Sequence, residues 1–130
     1  MVAESDDVVQ RFFHYNLLPD ENVVFAKGFF NETMPVLQKK IDKISVLRFD
    51  GDLYQSTNDV FYHLYEKVSV GGYIIVDDWF IPECQEACSD FLKAHKQAPK
   101  IVSDPAFGAY WQKTADFKVD YKRYEKRNFK

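Results

Sequence analysis

Two short acidic motifs carry the chemistry this sequence could perform. Asp50-Gly51-Asp52 closes the apolar run Ile44 to Phe49, and Asp77-Asp78 closes the run Tyr73 to Val76. Between them lies a helical pattern: Ser56-Thr57-Asn58-Asp59 offers a start, and Val60, Phe61, Leu64 and Tyr65 follow at helical spacing. Strand, helix, strand within one sheet means parallel strands joined by a right-handed crossover. Both carboxyl ends then emerge on the edge where α/β sheets bind ligands. Four carboxylates converge there. Like charges held close repel, and burial raises their pKa values further. A hard divalent cation relieves both costs, and an oxygen-only donor set suits Mg²⁺. Such a cation lowers the pKa of a hydroxyl and orients it, while a neighbouring carboxylate takes the proton. The competing reading is local: Asp50 and Asp77 cap helices, and Asp52 and Asp78 face water.

The elements around this unit follow from the same periodicities. Ser5-Asp6-Asp7 begins a helix through Val8, Val9, Phe12, Phe13 and Leu17, and the stretch Pro19 to Asn22 turns the chain. Val23 to Ala26 reads as a short buried strand ending at Lys27-Gly28. A helix from Asn31 carries Met34, Leu37 and Ile41, and Val70-Gly71-Gly72 permits re-entry into a strand. Pro82-Glu83 starts a helix with Ala87, Phe91 and Leu92 on its apolar face. Lys100 to Val102 and Ala109 to Lys113 read as an antiparallel pair around Pro105-Ala106-Phe107-Gly108. The tail 116–130 alternates aromatic and basic residues, a pattern that also occurs on single-stranded nucleic-acid surfaces; the acidic chain as a whole favours a packing extension.

LRFDGDLYQST followed by KVSVGGYIIVDDW resembles the macrocin O-methyltransferase family, metal-dependent enzymes that methylate hydroxyls on antibiotic sugars. VVFAKGFFNETMPVL and IPECQEACSDFLKAHK extend the likeness, so residues 1–115 look like the C-terminal portion of a methyltransferase-like domain and 116–130 an extension. The resemblance implies an α/β fold: a partial class I (Rossmann-like) methyltransferase fold, mostly parallel with a C-terminal antiparallel strand. It implies S-adenosylmethionine and Mg²⁺ as cofactors and a sugar or other polyhydroxylated small molecule as hydroxyl acceptor. By motif position, Asp50, Asp77 and Asp78 correspond to the metal ligands and Asp52 to the general base. Gly28 and Phe29 fall where such folds pass the adenine ring; Tyr54, His63 and Trp79 are substrate-contact candidates. One departure stands out. No G-x-G-x-x-G turn follows any strand, so the first strands and the glycine-rich cofactor loop of the fold are missing from this reading. The alternative is therefore a non-catalytic module that binds metal or a protein partner, and an exposed sheet edge would favour self-association or completion by an N-terminal segment.

The composition sets bounds. The chain has 130 residues, 46% hydrophobic and 28% charged, enough for one domain with a core and too apolar for disorder. A net charge of −3 gives no reason to expect nucleic acid or an anionic membrane as partner. No apolar run approaches the ~20 residues needed to span a bilayer, and no secretory pattern opens the chain, so a cytoplasmic location is expected. Cys84 and Cys88, four apart on one helix, suit neither a disulfide nor a zinc site and read as small buried residues.

Overall fold

The computed structural model describes residues 5–15 and 21–128. Its elements are α1 (Ser5–His14), α2 (Phe30–Lys40), β1 (Ile44–Phe49), α3 (Tyr54–Leu64), β2 (Val68–Val76), α4 (Pro82–Ala94), β3 (Val102–Asp104), β4 (Gly108–Gln112) and α5 (Tyr121–Asn128). The sheet order is β1-β2-β4-β3. β1 and β2 are parallel, and β4 runs antiparallel to both β2 and β3. This is an α/β fold with a mixed sheet. Only the β1–β2 pairing is parallel and the other two are antiparallel, so among the described residues the sheet is not the mostly parallel one that the resemblance implies, because β4 enters between β2 and β3 by a short hairpin.

Alternation along the strands sorts the side chains. Leu47, Phe49, Ile74, Val76, Ala109 and Trp111 are buried. They pack in one cluster with Val60, Phe61 and Leu64 of α3 and with Cys84, Cys88 and Phe91 of α4. Both cysteines are free and buried. The right-handed β1–α3–β2 crossover requires α3 to lie over one face, and α2 packs beside it. The opposite face carries Val46, Tyr73 and Tyr110, all exposed.

Several elements differ from the sequence reading. Val23 to Ala26 forms no strand: Val24 is 81% exposed, and none of the sheet pairings includes the segment. A strand exists only by pairing, and among the described residues no strand pairs with this one. Leu17 and Pro19 lie outside the described residues. α3 begins at Tyr54, two residues before the Ser-Thr-Asn-Asp start signal. β2 begins at Val68, so Gly71 and Gly72 lie inside it as a bulge, the three residues Ile44 to Val46 of β1 opposing the longer span Val68 to Tyr73. Gly71 has φ +89°, and a Cβ on Gly72 would come within 2.8 Å of the Ser45 carbonyl oxygen. Only glycine fits both positions.

The tail contains a helix that its polar composition hides. Val119 is buried, its N–H donating to Glu66 Oε2 at 3.1 Å. The Asp120 N–H donates to His95 Nε2 at 3.0 Å, and the Tyr124 hydroxyl donates to the buried Asp59 carboxylate at 2.7 Å. Lys113 anchors the approach: its buried amine donates to the Val68 carbonyl at 2.7 Å and pairs with Asp116 at 3.0 Å.

Candidate functional site

The two acidic motifs emerge from neighbouring parallel strands, as their positions in the sequence require. Phe49 pairs with Val76, and the Asp77 N–H continues the ladder to the Phe49 carbonyl at 3.2 Å. The chain then diverges on both sides. Asp50-Gly51-Asp52 leads into α3, whose N-cap is Leu53, and Asp77-Asp78 leads towards α4, whose N-cap is Ile81. Neither Asp50 nor Asp77 caps a helix, so the local reading of these two carboxylates does not apply.

Asp50, Asp52 and Asp78 each present a carboxylate oxygen within 4.8 Å of the other two. Asp50 and Asp52 are exposed, whereas Asp78 is half-buried. Its Oδ2 is buried without a hydrogen-bond partner. Burial first, then the shared hydrogen bond and charge of Asp50 and the charge of Asp52, push the Asp78 carboxyl up from 3.8 to about 7. Three hard oxygen donors, one of them a desolvated and unsatisfied carboxylate, fit a divalent cation of the Mg²⁺ type.

Asp77 is placed differently. It forms an ion pair with Arg48 of β1 and does not join the three-carboxylate group. Strand alternation explains this. Asp77 follows Ile75 on the side of Arg48, whereas Asp78 follows Val76 on the helix-covered side. Arg48, two residues before Asp50, is therefore a site residue that attention to the carboxylates overlooked; its strand position was the available signal.

The loop between Asp50 and α3 is held from below. Thr57, fully buried, donates from Oγ1 to the Leu53 carbonyl at 3.1 Å and approaches Cys84 Sγ at 3.5 Å. Gly51 is enclosed too, with Phe30 Cε2 3.4 Å from where a Cβ would stand. Gly28, at φ +140°, and the exposed Phe29 lead directly into Phe30 and α2, which brings this segment to the carboxylate edge. Tyr54 donates to Asp90 Oδ2 at 2.7 Å, tying the start of α3 to α4. Trp79 is buried edge-on against Trp111, with ring centres 6.1 Å apart, as a wall of the core beneath Asp78. His63 lies nine residues along α3 from Tyr54, about 13 Å of helix. It faces the Tyr124 ring at 4.9 Å, and its Nδ1 bonds the Asp59 carbonyl at 2.7 Å. The structure thus gives His63 a packing role at the far end of α3 and does not bring it to the carboxylates.

Titration of Asp78 should be visible in stability. Between about pH 4 and 7 the native state keeps a proton that the unfolded chain has lost, so without metal stability falls as pH rises through this window. Thermal melts of metal-free protein should show this fall, and Asp78→Asn should flatten it. An unchanged slope in that variant would assign the effect to another group.

Comparison with known proteins places this geometry. Residues 1–113 match the family described as Macrocin-O-methyltransferase (TylF). The chain is 44% identical over 116 residues to demethyldecarbamoylnovobiocin O-methyltransferase of Streptomyces niveus, covering 88% of this chain and 43% of that protein. It is 40% identical over 108 residues to mycinamicin III 3''-O-methyltransferase of Micromonospora griseorubida, covering 83% and 41%. It thus spans less than half the length of these relatives. The solved O-methyltransferase NovP superposes with a TM-score of 0.80 at 42% identity, over 87% of this chain and 46% of that one. A TDP-rhamnose 3'-O-methyltransferase of calicheamicin biosynthesis shares the fold, with a TM-score of 0.61 at 23% identity over 78% and 45%. Among the described residues, no helix is long and apolar enough to cross a membrane. With its two acidic motifs at adjacent strand ends, and the family match running through all but the tail, the chain belongs to the macrocin O-methyltransferase family.

Proposed function

We propose that this chain supplies the acceptor-activating half of an S-adenosylmethionine-dependent, Mg²⁺-dependent O-methyltransferase. The acceptor is a hydroxyl of a sugar or another polyhydroxylated small molecule. The observation that carries the reading is the convergence of Asp50, Asp52 and Asp78 at the carboxyl ends of β1 and β2, in a chain of this family. The relatives' names support the acceptor class: two of them are O-methyltransferases of novobiocin-type and mycinamicin compounds.

Asp50 and Asp78 would hold the cation, with Asp77, paired with Arg48 in the structure, as the third ligand of the motif. When bound, Mg²⁺ lowers the pKa of the acceptor hydroxyl. Asp52, exposed beside them, accepts the hydroxyl proton on a carboxylate oxygen. The exposed aromatic Phe29 and the turn at Gly28 border the side from which a methyl donor approaches. No G-x-G-x-x-G cradle for that donor follows a strand in this sequence.

The test is calorimetric titration of Mg²⁺ into the protein above pH 7, where Asp78 is ionised. One site is expected in the parent chain, and its loss is expected in Asp78→Asn with an unchanged far-UV circular dichroism spectrum. A folded parent chain that takes up no Mg²⁺ would overturn the metal reading.

A further inference from the structure

One element, α5, takes no part in the carboxylate site, yet it fastens to three other helices. The Tyr124 hydroxyl donates to Asp59 of α3, and its ring meets His63 at 4.9 Å. The Tyr121 hydroxyl accepts from Gln38 of α2. The Asp120 N–H donates to Nε2 of His95, at the end of α4, at 3.0 Å. α5 has eight residues, too few to stand as a helix in water without packing. Its start depends on Asp120. One carboxylate oxygen of that residue accepts the Lys122 N–H at 3.2 Å, and the other pairs with Arg123 at 3.2 Å. The bond to His95 therefore fastens the cap residue on which α5 is built.

The partners of His95 fix its protonation. Nδ1 stands 2.7 Å from the Phe91 carbonyl oxygen, which can only accept, so Nδ1 carries a hydrogen. Nε2 receives the Asp120 N–H and must offer a lone pair. The docked strap thus requires a neutral ring in the Nδ1–H form. The place of the residue pulls the other way. His95 is the C-cap of α4, where the end carbonyls favour a positive charge. Lys96 at φ +54° and the Gln97 N–H on the Leu92 carbonyl at 2.8 Å close that helix end without help from the strap. An imidazolium keeps its bond to Phe91 but turns a second N–H towards the Asp120 amide, and two donors cannot bond. The other groups that can carry charge here are Lys96 next to it, Tyr62 of α3 with ring centres 5.8 Å apart, and Asp120 with its Arg123 partner. Lys118, in the segment before α5, pairs with Glu66.

We infer that His95 is a proton-operated latch for this strap: the neutral ring holds 117–128 across α3 and α4, and protonation releases them. The docked state binds one proton fewer than the released state, so docking strengthens as pH rises. Imidazole is the side chain whose ordinary titration, at about pH 6.5, falls in the physiological range. The sign is opposite to the one expected of Asp78, whose carboxyl makes the metal-free fold less stable over the same rise. Release uncovers the Tyr62 and His63 rings that Tyr124 covers, and it leaves Asp59 with Gln55 as a partner at 3.0 Å.

Nitrogen-15 NMR of the chain tests this. At about pH 7.5 the ring-nitrogen shifts of His95 should report the Nδ1–H form. From there to about pH 5.5, above the ordinary carboxylate range, protection of the Val119 and Asp120 amides should fall. Corrected for the intrinsic pH dependence of exchange, the fall should reach up to about tenfold per pH unit, the slope one proton sets. His95→Gln offers a carbonyl oxygen to the same amide at every pH, and its strap should stay docked throughout. His95→Lys should leave the strap released throughout, with the β1 and β2 amides protected as in the parent. His63→Gln should respond to pH like the parent. An Nε2–H ring in the parent at the upper pH would overturn the proposal whatever the variants do. So would a pH response that persists in His95→Gln, or one that disappears in His63→Gln.

Discussion

Under the proposed function, Asp52→Asn is expected to lower methyl transfer about 10²- to 10⁴-fold, the range general-base removal usually costs. Mg²⁺ affinity should stay within a few-fold of the parent. The two measurements are informative together because Asp52 stands within the same 4.8 Å group as Asp50 and Asp78. Asparagine keeps the shape and one carbonyl oxygen but cannot accept the proton. If Asp52 acts as the base, turnover collapses and cation binding persists. If it acts mainly as a ligand, both fall, and the base must be sought elsewhere. The cation arm of the experiment runs on this chain by itself.

The position of that carboxylate was legible in the sequence because it depended on local order. An apolar run ending in Asp-Gly-Asp, a helix-period stretch, and a second run ending in Asp-Asp leave little choice about topology or about which edge the acids reach. The distribution of the four acids was not legible. It turns on which side of the pleat Asp77 and Asp78 leave β2, and on an arginine two residues before Asp50 that claims Asp77. Register shifts were hidden for a related reason: the glycines at 71 and 72 suit both a strand entry and a bulge, and only the proximity of the Ser45 carbonyl selects the bulge. α5 was missed because its residues are mostly charged, and its anchoring contacts, Tyr124 to Asp59 and Asp120 to His95, join residues distant in sequence. Val23 to Ala26 is a different case. Its composition reads as strand, but among the described residues no strand pairs with it.

Phe61→Ala should produce the largest loss of stability, about 3–5 kcal/mol, and lower the melting temperature by roughly 10–20 °C. Phe61 is fully buried in α3. Its ring meets Phe49 at 5.1 Å, Tyr65 at 5.3 Å, Phe91 at 5.1 Å and Trp111 at 6.1 Å, all edge-on. Truncation leaves a cavity that four rings cannot close by small movements, since aromatic edges lose dispersion contact steeply with separation. Two of these neighbours reach the site. Phe49 immediately precedes Asp50, and Trp111 meets edge-on Trp79, which immediately follows Asp78. The same cavity should therefore loosen the spacing of the carboxylates, and Mg²⁺ affinity should fall in the variant at temperatures where it remains folded. Phe80→Ala serves as the control, because that side chain is 54% exposed and its loss should cost within about 0.5 kcal/mol. Equal melting temperatures for the two variants would remove Phe61 as the packing link between core and site. A destabilised Phe61→Ala with unchanged Mg²⁺ affinity would mean that the strand ladder alone holds the acids in place.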